Sequence, residues 1–319
     1  MRYRLDGLVM TTSGPKNISS ITPYVDELIE YKTNRSLKVL NIKCEELKIF
    51  KITYANGIEQ IVPSKYPIHN KKYVVPLYPV QFNKSIKKLE PDPYVVGGLL
   101  TYGDFNDIYM NLPEVNNKFN TYLLNKYYIQ EAGIDHKDKI YYRHTLNDFY
   151  DEYVTWKEFL GDLKSKLIHK NMNYPDIFPN EYIYSDIRDR YHLLSGAFDL
   201  GYDREFFDNR TGIKCKNKHR IKAIQYILRS IGIPSEISYY NGLYILYLTD
   251  EDFDNSRIGY DIENMLHQLS NKDLNNPRIT ELDNVTNVEY IDNRMTFVPV
   301  IEEEDVLYLD QLFLPVRSI

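Results

Sequence analysis

The sequence predicts an α+β protein in which a mixed helical and stranded region is inserted into a small all-β module. β-strand patterns occupy both ends of the 319-residue chain, and helical patterns with short strands occupy the middle. The middle region also contains an internal repeat: residues 95–104 line up with residues 193–203, which pairs Gly98 with Gly196. The predicted segments are 1–90 and 291–319 for the two parts of the β module, and 91–185 and 186–290 for two repeats.

The first 90 residues alternate β-branched or aromatic side chains with charged ones, in short runs that end at turn signals. Asn56-Gly57 is typical of a tight hairpin turn. We expect strands at 8–12, 36–44, 47–54 and 59–63, and the same pattern returns at 295–301 and 305–316.

Pro91 and Pro93 mark the change to a helical pattern, because proline suits the first turn of a helix. The first half is predicted to contain a helix at 93–103, a strand near 108–112, an amphipathic segment at 116–133, a strand at 139–145 and a long helix at 152–170.

The second half restarts after a proline-marked break at 174–179. It is predicted to contain a helix at 188–201, a strand at 212–216, a helix at 219–232 and a hairpin at 234–250 with Asn241-Gly242 at its turn. Two similar halves in one chain imply a pseudo-twofold arrangement, that is, a pseudo-dimer within a monomer.

The charge is distributed unevenly. The net charge is -6, yet residues 1–90 hold 15 Lys and Arg against 8 Asp and Glu, whereas residues 248–319 hold 5 against 16. This excludes a uniformly basic nucleic-acid binder but permits a polyanion to bind on one side. The acidic C-terminal region could receive a protein partner.

Several classes of protein are excluded by composition. Cys44 and Cys215 lie far apart and outside any metal-binding spacing, so one chain can build neither a disulfide framework nor a structural zinc site. No run approaches the roughly 20 apolar residues of a membrane helix, and the N-terminus has no secretory pattern. We expect an intracellular protein that does not bind membranes.

Two predicted helices carry a face with almost no side chain, which lets helix backbones approach closely. The small residues are Gly97, Gly98, Ser195 and Gly196. Each helix runs into an acidic residue, Asp104 or Asp203. If the helices pair in parallel, the two carboxylates meet and could hold divalent cations against a phosphodiester. An ordinary pair of buried helices, with glycines that only permit packing, is the alternative.

These helices resemble the two signature helices of LAGLIDADG (DOD-type) homing endonucleases, over residues 92–107 and 190–203. Residues 217–248 are similar to the helix and hairpin that follow the second signature. Residues 5–21, 51–68 and 306–319 resemble the opening, second and closing blocks of an intein. The resemblance implies two αββαββ-type LAGLIDADG repeats inserted in a Hint-like β module, duplex DNA as partner and Mg²⁺ as cofactor.

The chain departs from the intein pattern at the residues that splice. Self-splicing uses a Cys or Ser nucleophile, a Thr-x-x-His and a terminal His-Asn. Arg2, then Pro63 with Tyr66, and then Val316-Arg317 stand at those places. Splicing is therefore not expected.

The chain also departs from the endonuclease signature. The family's metal-binding acid follows the central glycine by five residues, which from Gly98 and Gly196 leads to Gly103 and Gly201. Asp104 and Asp203 come one and two residues later. Either the helix ends are rewound to present them, or cleavage is lost, because one residue turns a helical side chain by about 100°.

Residues 210–222 carry six Lys and Arg, one His and no acidic residue. The alternation of Lys214, Lys216 and Lys218 predicts one basic strand face, which Arg220 and Lys222 extend. Such a face could contact phosphates and base edges in a major groove. The alternative is a solvated edge strand protected by lysines.

The sequence therefore predicts a splicing-inactive, homing-endonuclease-like protein that binds double-stranded DNA. If cleavage is retained, Asp104 and Asp203 would hold Mg²⁺ for metal-assisted hydrolysis. The alternative is a domesticated, non-catalytic structural or interaction protein on the same fold, for example in a viral particle.

Overall fold

The computed structural model divides the chain into two compact units. One consists of residues 1–85, 228–236 and 270–319, and the other of residues 86–227 and 237–269. The residues that the structure describes are 7–54, 58–64, 79–82, 89–102, 105–106, 109–110, 117–127, 129–134, 140–144, 179–201, 212–233, 235–248, 285–303, 306–310 and 314–317.

Fifteen strands are defined in these residues: β1 Leu8–Thr11, β2 Gly14–Asn17, β3 Glu27–Ile29, β4 Ser36–Tyr54, β5 Glu59–Ser64, β6 Phe105–Asn106, β7 Tyr109–Met110, β8 Ile129–Ile134, β9 Ile140–His144, β10 Gly212–Cys215, β11 Ser235–Tyr240, β12 Leu243–Leu248, β13 Val285–Ile301, β14 Leu307–Leu309 and β15 Pro315–Arg317. The helices in the same residues are α1 Pro93–Tyr102, α2 Asn117–Tyr127, α3 Asn180–Ile183, α4 Ile187–Gly201 and α5 Lys218–Ser230, with a 3-10 turn at Ile18–Ser20. The α+β class is confirmed.

The first unit is built around a long antiparallel ladder between β4 and β13. The ladder runs from Val39 opposite Ile301 to Tyr54 opposite Val285, and the sheet order is β13-β4-β3-β1-β2 with β5 also paired to β4. Segments from both ends of the chain therefore share one sheet. Because β13 begins at Val285, the boundary drawn after residue 290 from the sequence cuts through this strand.

A buried polar chain links the β4–β5 hairpin to the C-terminal segment of the first unit. The Tyr54 hydroxyl donates to Gln60 Oε1 at 2.8 Å, and Gln60 Nε2 donates to Asp310 Oδ2 at 2.9 Å. The other Asp310 oxygen accepts the backbone N–H of Leu314 at 2.9 Å, which closes the β14–β15 hairpin. Buried polar groups are costly unless paired, so these bonds fix the register of the hairpin.

The second unit contains two sheets whose strands and helix are connected in the same order. In the sheet β6-β7-β9-β8, the strand before α2 pairs with the second strand of the hairpin that follows α2. In the sheet β10-β12-β11, the strand before α5 pairs with the second strand of the hairpin that follows α5.

Local signals set the ends of α1, α4 and α5. Asp92 precedes α1, and its Oδ1 accepts the backbone N–H of Tyr94 at 2.9 Å. Asp186 accepts the backbone N–H of Arg188 at 2.8 Å in the same way at the start of α4. After α5 the chain turns at Gly232, whose φ of 76° favours glycine. The sequence placed these helices within one or two residues.

Some predicted elements differ from the structure. The predicted strands at 36–44 and 47–54 form the single strand β4, because no Gly or Pro interrupts the alternation between them. The segment at 116–133 divides into α2 and β8. The predicted helix at 152–170 and the Asn56-Gly57 turn lie outside the described residues. Across the described part of the chain, no helix has the length and apolar character that crossing a membrane requires.

Candidate functional site

The helices α1 and α4 cross with their backbones in contact. A Cβ built on Gly97 would lie 1.8 Å from the carbonyl oxygen of Leu193, and one built on Gly196 would lie 1.8 Å from the carbonyl oxygen of Tyr94. These distances are far inside van der Waals contact, so only glycine permits the crossing at either position. The surrounding side chains are buried: Tyr94, Val95, Val96, Leu193, Leu194, Ala197 and Phe198.

The two glycine contacts are reciprocal. Gly97 faces Leu193, which is three residues before Gly196, and Gly196 faces Tyr94, which is three residues before Gly97. A twofold axis between two like helices generates this exchange. It makes Gly97 the equivalent of Gly196, whereas the sequence alignment paired Gly98 with Gly196. The contacts therefore pair the two helices one residue away from the sequence alignment.

The other two small residues predicted for this interface are also buried. The Gly98 backbone nitrogen lies 3.0 Å from the Cβ position built on Gly196. The Ser195 hydroxyl donates to the carbonyl of Tyr191, one turn earlier in its own helix, at 2.9 Å. Ser195 therefore satisfies its polar group without a partner across the crossing.

The candidate acids follow the two helices at equal distances. α1 ends at Tyr102 and α4 at Gly201, so Asp104 and Asp203 are each the second residue beyond their helix. Each also follows its crossing glycine, Gly97 or Gly196, by seven residues. Both acids lie outside the described residues. Within the described residues no group of three or more His, Cys, Asp or Glu is placed to hold a metal ion.

Polar contacts around the crossing attach α2 to α1 and α1 to α4. The Tyr94 hydroxyl donates to Asp199 Oδ2 at 2.7 Å, and its ring lies 4.5 Å from that of Tyr122, centroid to centroid. Lys126 of α2 donates to Asp92 Oδ2, next to the start of α1. Sequence reasoning missed Asp92 and Asp199, although an Asp before a proline at the first helical position is a capping signal.

A fully buried arginine, Arg190, lies in the first half of α4. Burial lowers the pKa of Arg190 to about 10, and the neighbouring Tyr191 and Asp186 oppose that shift. Burial, followed by the charge of Asp186, raises the pKa of Asp189. The burial of Arg190 was not predictable from the residue pattern, because an arginine in a helical pattern is usually exposed.

The basic segment does not form one strand face. Lys214 lies in β10, Lys216 in a bend, and Lys218 is the first residue of α5. The strand ends at Cys215 because Asn217 caps α5: its Oδ1 accepts the backbone N–H of His219 at 2.9 Å. The prediction that the three lysines share a strand face is therefore wrong.

The cationic residues instead gather around the β10–α5 connection. Lys214 and Arg220 are half-buried, whereas Lys216, Lys218 and Lys222 are exposed. Lys218 and Lys222 are four residues apart on α5 and so lie on one face of the helix. Burial raises the pKa of the intervening thiol of Cys215, so a neutral thiol lies among the cations.

The chain resembles known proteins in structure but not in sequence, and the structural likeness is limited. No family profile and no curated protein sequence matches the chain. A structure of mesophilic variants of the homing endonuclease I-DmoI aligns with a TM-score of 0.35 at 13% identity, covering 58% of this chain and 97% of that chain. A crystal structure of I-DmoI in complex with DNA and Mn aligns with a TM-score of 0.35 at 14% identity, covering 57% of this chain and 97% of that chain.

Proposed function

We propose that the chain is a duplex DNA-binding protein of the LAGLIDADG homing-endonuclease type, and that its second unit holds the DNA. The observation that carries the proposal is the reciprocal contact of Gly97 with Leu193 and of Gly196 with Tyr94. These glycines lie in the two segments that resemble the family's signature helices. In such a helix pair, glycines permit the two backbones to come into contact.

The connectivity of the second unit supports two repeats of the αββαββ type. In the first repeat α1 is followed by β6 and β7, then by α2, and then by β8 and β9. In the second repeat α4 is followed by β10, α5, β11 and β12, with the same pairing around the second helix, and residues 202–211 between α4 and β10 lie outside the described residues. Two like halves on one axis suit a duplex, because its two strands are also related by a twofold axis.

The charge of the second repeat supports phosphate as the ligand. Three exposed lysines, Lys216, Lys218 and Lys222, lie at the β10–α5 connection. No acidic residue interrupts residues 210–222. Such a cluster attracts a polyanion and steers it toward the adjoining sheet.

Cleavage of the duplex belongs to the same proposal. Asp104 and Asp203 would hold Mg²⁺, which when bound supplies Lewis-acid stabilisation of the phosphodiester and a more acidic water. If Gly97 and Gly196 are equivalent, as their reciprocal contacts indicate, each acid follows its crossing glycine by seven residues in the sequence, which supports their use as a pair. A pair of matched acids is what cutting both strands of a duplex needs.

The first unit is proposed to be a Hint-like module that does not splice. The pairing of N-terminal and C-terminal segments in one sheet supports an insertion of the second unit into an existing β fold. Pro63 lies in β5 opposite Ile49 and offers no hydroxyl at the place of the intein threonine, and Tyr66 stands where the histidine would supply its imidazole for the acyl shift.

A non-catalytic interaction protein on the same fold is the second candidate. Gly201, at the position where the family's signature carries its acid, is the last residue of α4. A glycine at that position supplies no metal ligand. The acidic residues of 248–319 would suit a protein partner.

A cleavage and binding assay tests the proposal. The wild type should shift random duplex DNA in a gel, more strongly at about 50 mM than at about 200 mM salt. With Mg²⁺ it should cut members of a duplex library, and Asp104→Asn or Asp203→Asn should abolish cutting while affinity is kept. Binding without cutting in the wild type would favour the non-catalytic candidate. Absence of binding at low salt would contradict the proposal.

A further inference from the structure

Two neighbouring tyrosines are exposed where β11 meets the β11–β12 turn. Tyr239 and Tyr240 are 64% and 57% exposed. The turn itself is tight, since Asn241 and Gly242 both have positive φ, at 47° and 81°. The ring centroid of Tyr239 lies 4.8 Å from that of Tyr244 across the hairpin. Because successive side chains of a strand point to opposite faces, the two exposed rings lie on either side of the hairpin next to its turn.

The basic connection emerges at the same end of the sheet. β10 is antiparallel to β12, and Cys215, its last residue, lies opposite Tyr244. Lys216 and Lys218 follow directly and are exposed. The register therefore brings an exposed aromatic group and a cationic group together at one end of the sheet β10-β12-β11.

We propose that this end of the sheet binds a single-stranded segment of DNA. Lys216 and Lys218 contact its phosphates, and Tyr239 and Tyr240 stack on its unpaired bases. The choice of DNA rests on the proposed function, but the mode of contact differs from it. Bases in a duplex are stacked on each other and offer only their edges, whereas unpaired bases expose faces to aromatic rings. Alternating aromatic and basic groups are the usual means of holding such a strand.

The proposal separates into an aromatic and a cationic contribution. Removing one stacking ring should weaken single-strand binding by about tenfold, and removing both by about a hundredfold. Phenylalanine keeps the ring, so Tyr239→Phe and Tyr240→Phe should bind as the wild type does. Duplex affinity should be unchanged in all these variants, because a duplex offers no base face to the rings.

The experiment is fluorescence anisotropy of the full chain with a labelled oligothymidylate and with a labelled duplex of equal length. The double variant with Tyr239→Ala and Tyr240→Ala is compared with Tyr24→Ala as control, since Tyr24 is 75% exposed and lies in the first unit. We expect the double variant to lose oligothymidylate binding alone, and the control to lose nothing.

A second measurement, of tryptophan fluorescence, does not depend on the stability of the alanine variants. Trp156 is the chain's single tryptophan, so Tyr240→Trp adds one emitter at the turn. Oligothymidylate should quench its emission, and duplex should not. The proposal is overturned if the wild type does not bind oligothymidylate, if the double variant loses both ligands equally, or if Tyr240→Trp is not quenched. Failure of the proposed function gives a different result: the wild type then binds oligothymidylate but does not bind the duplex.

Discussion

Gly97 and Gly196 each face a carbonyl oxygen of the opposite helix at a distance that leaves no room for a methyl group. Gly97→Ala and Gly196→Ala should each destabilise the second unit by about 1–3 kcal/mol, because the helices must move apart to admit Cβ. Thermal unfolding of the purified variants measures this loss. Gly7→Ala is the control, since its Cβ would meet only the Ile18 Cδ1 atom at an ordinary 3.5 Å. Equal melting temperatures for all three variants would contradict the close crossing.

The identity of these residues was predictable from the sequence, but their partners were not. Small residues at 97, 98, 195 and 196 indicated a close helix contact, because glycine destabilises a helix and is usually kept there for packing. Either Gly97 or Gly98 could match Gly196 in an alignment. Only the carbonyl that each glycine faces decides between them, and that is a tertiary contact.

Asp26 makes part of the first unit's stability depend on pH. Burial alone would raise its pKa, but hydrogen bonds from Lys16 at 2.5 Å and from the backbone N–H of Thr22 at 2.9 Å lower the pKa overall. A lowered folded-state pKa means that this stability is present above the unfolded pKa and is lost as pH falls through the folded value. Asp26→Asn should flatten the acid limb of a urea midpoint measured against pH. An unchanged limb would show that the contacts of Asp26 do not stabilise the charged form.

At the scale of one element, α5 depends on its cap. Asn217 Oδ1 accepts the backbone N–H groups of His219 at 2.9 Å and Arg220 at 3.3 Å. Asn217→Ala should cost about 1 kcal/mol, and Asn217→Asp should keep the stability of the wild type because the carboxylate caps equally well. Urea unfolding compares the two variants. Equal losses in both would mean that the cap does not stabilise the helix.

This cap also explains why the basic strand face was predicted wrongly. Alternating lysines at 214, 216 and 218 have the period of a strand. The asparagine between Lys216 and Lys218 is also a helix-start signal, and the apolar spacing of Ile221, Ile224 and Leu228 favours the helix. Elements with local signals, such as the Asn241-Gly242 hairpin, were placed correctly. No Gly or Pro interrupts residues 36–54, but pairing along β13, which is distant in sequence, is what joins them into one strand.

At the scale of the whole molecule, the first unit is formed by segments that are far apart in the chain. Val39 pairs with Ile301 and Tyr54 with Val285, so the first unit needs both ends of the chain. Truncation before residue 285 should therefore unfold the first unit, because β4 would lose the partner that covers one of its edges. Limited proteolysis of the truncated chain should degrade residues 1–85. Protection of that segment would contradict the shared sheet.

The central claim is that the basic β10–α5 connection holds duplex DNA. The most direct test is the salt dependence of duplex binding for the wild type and for the variant with Lys216→Ala, Lys218→Ala and Lys222→Ala. Each lost phosphate contact should lower the slope of log K against log salt by about 0.9, so the variant should bind every sequence more weakly with a slope lower by about 2 to 3. An unchanged slope would contradict the claim, since it would show that these lysines release no counterions and that the DNA lies elsewhere.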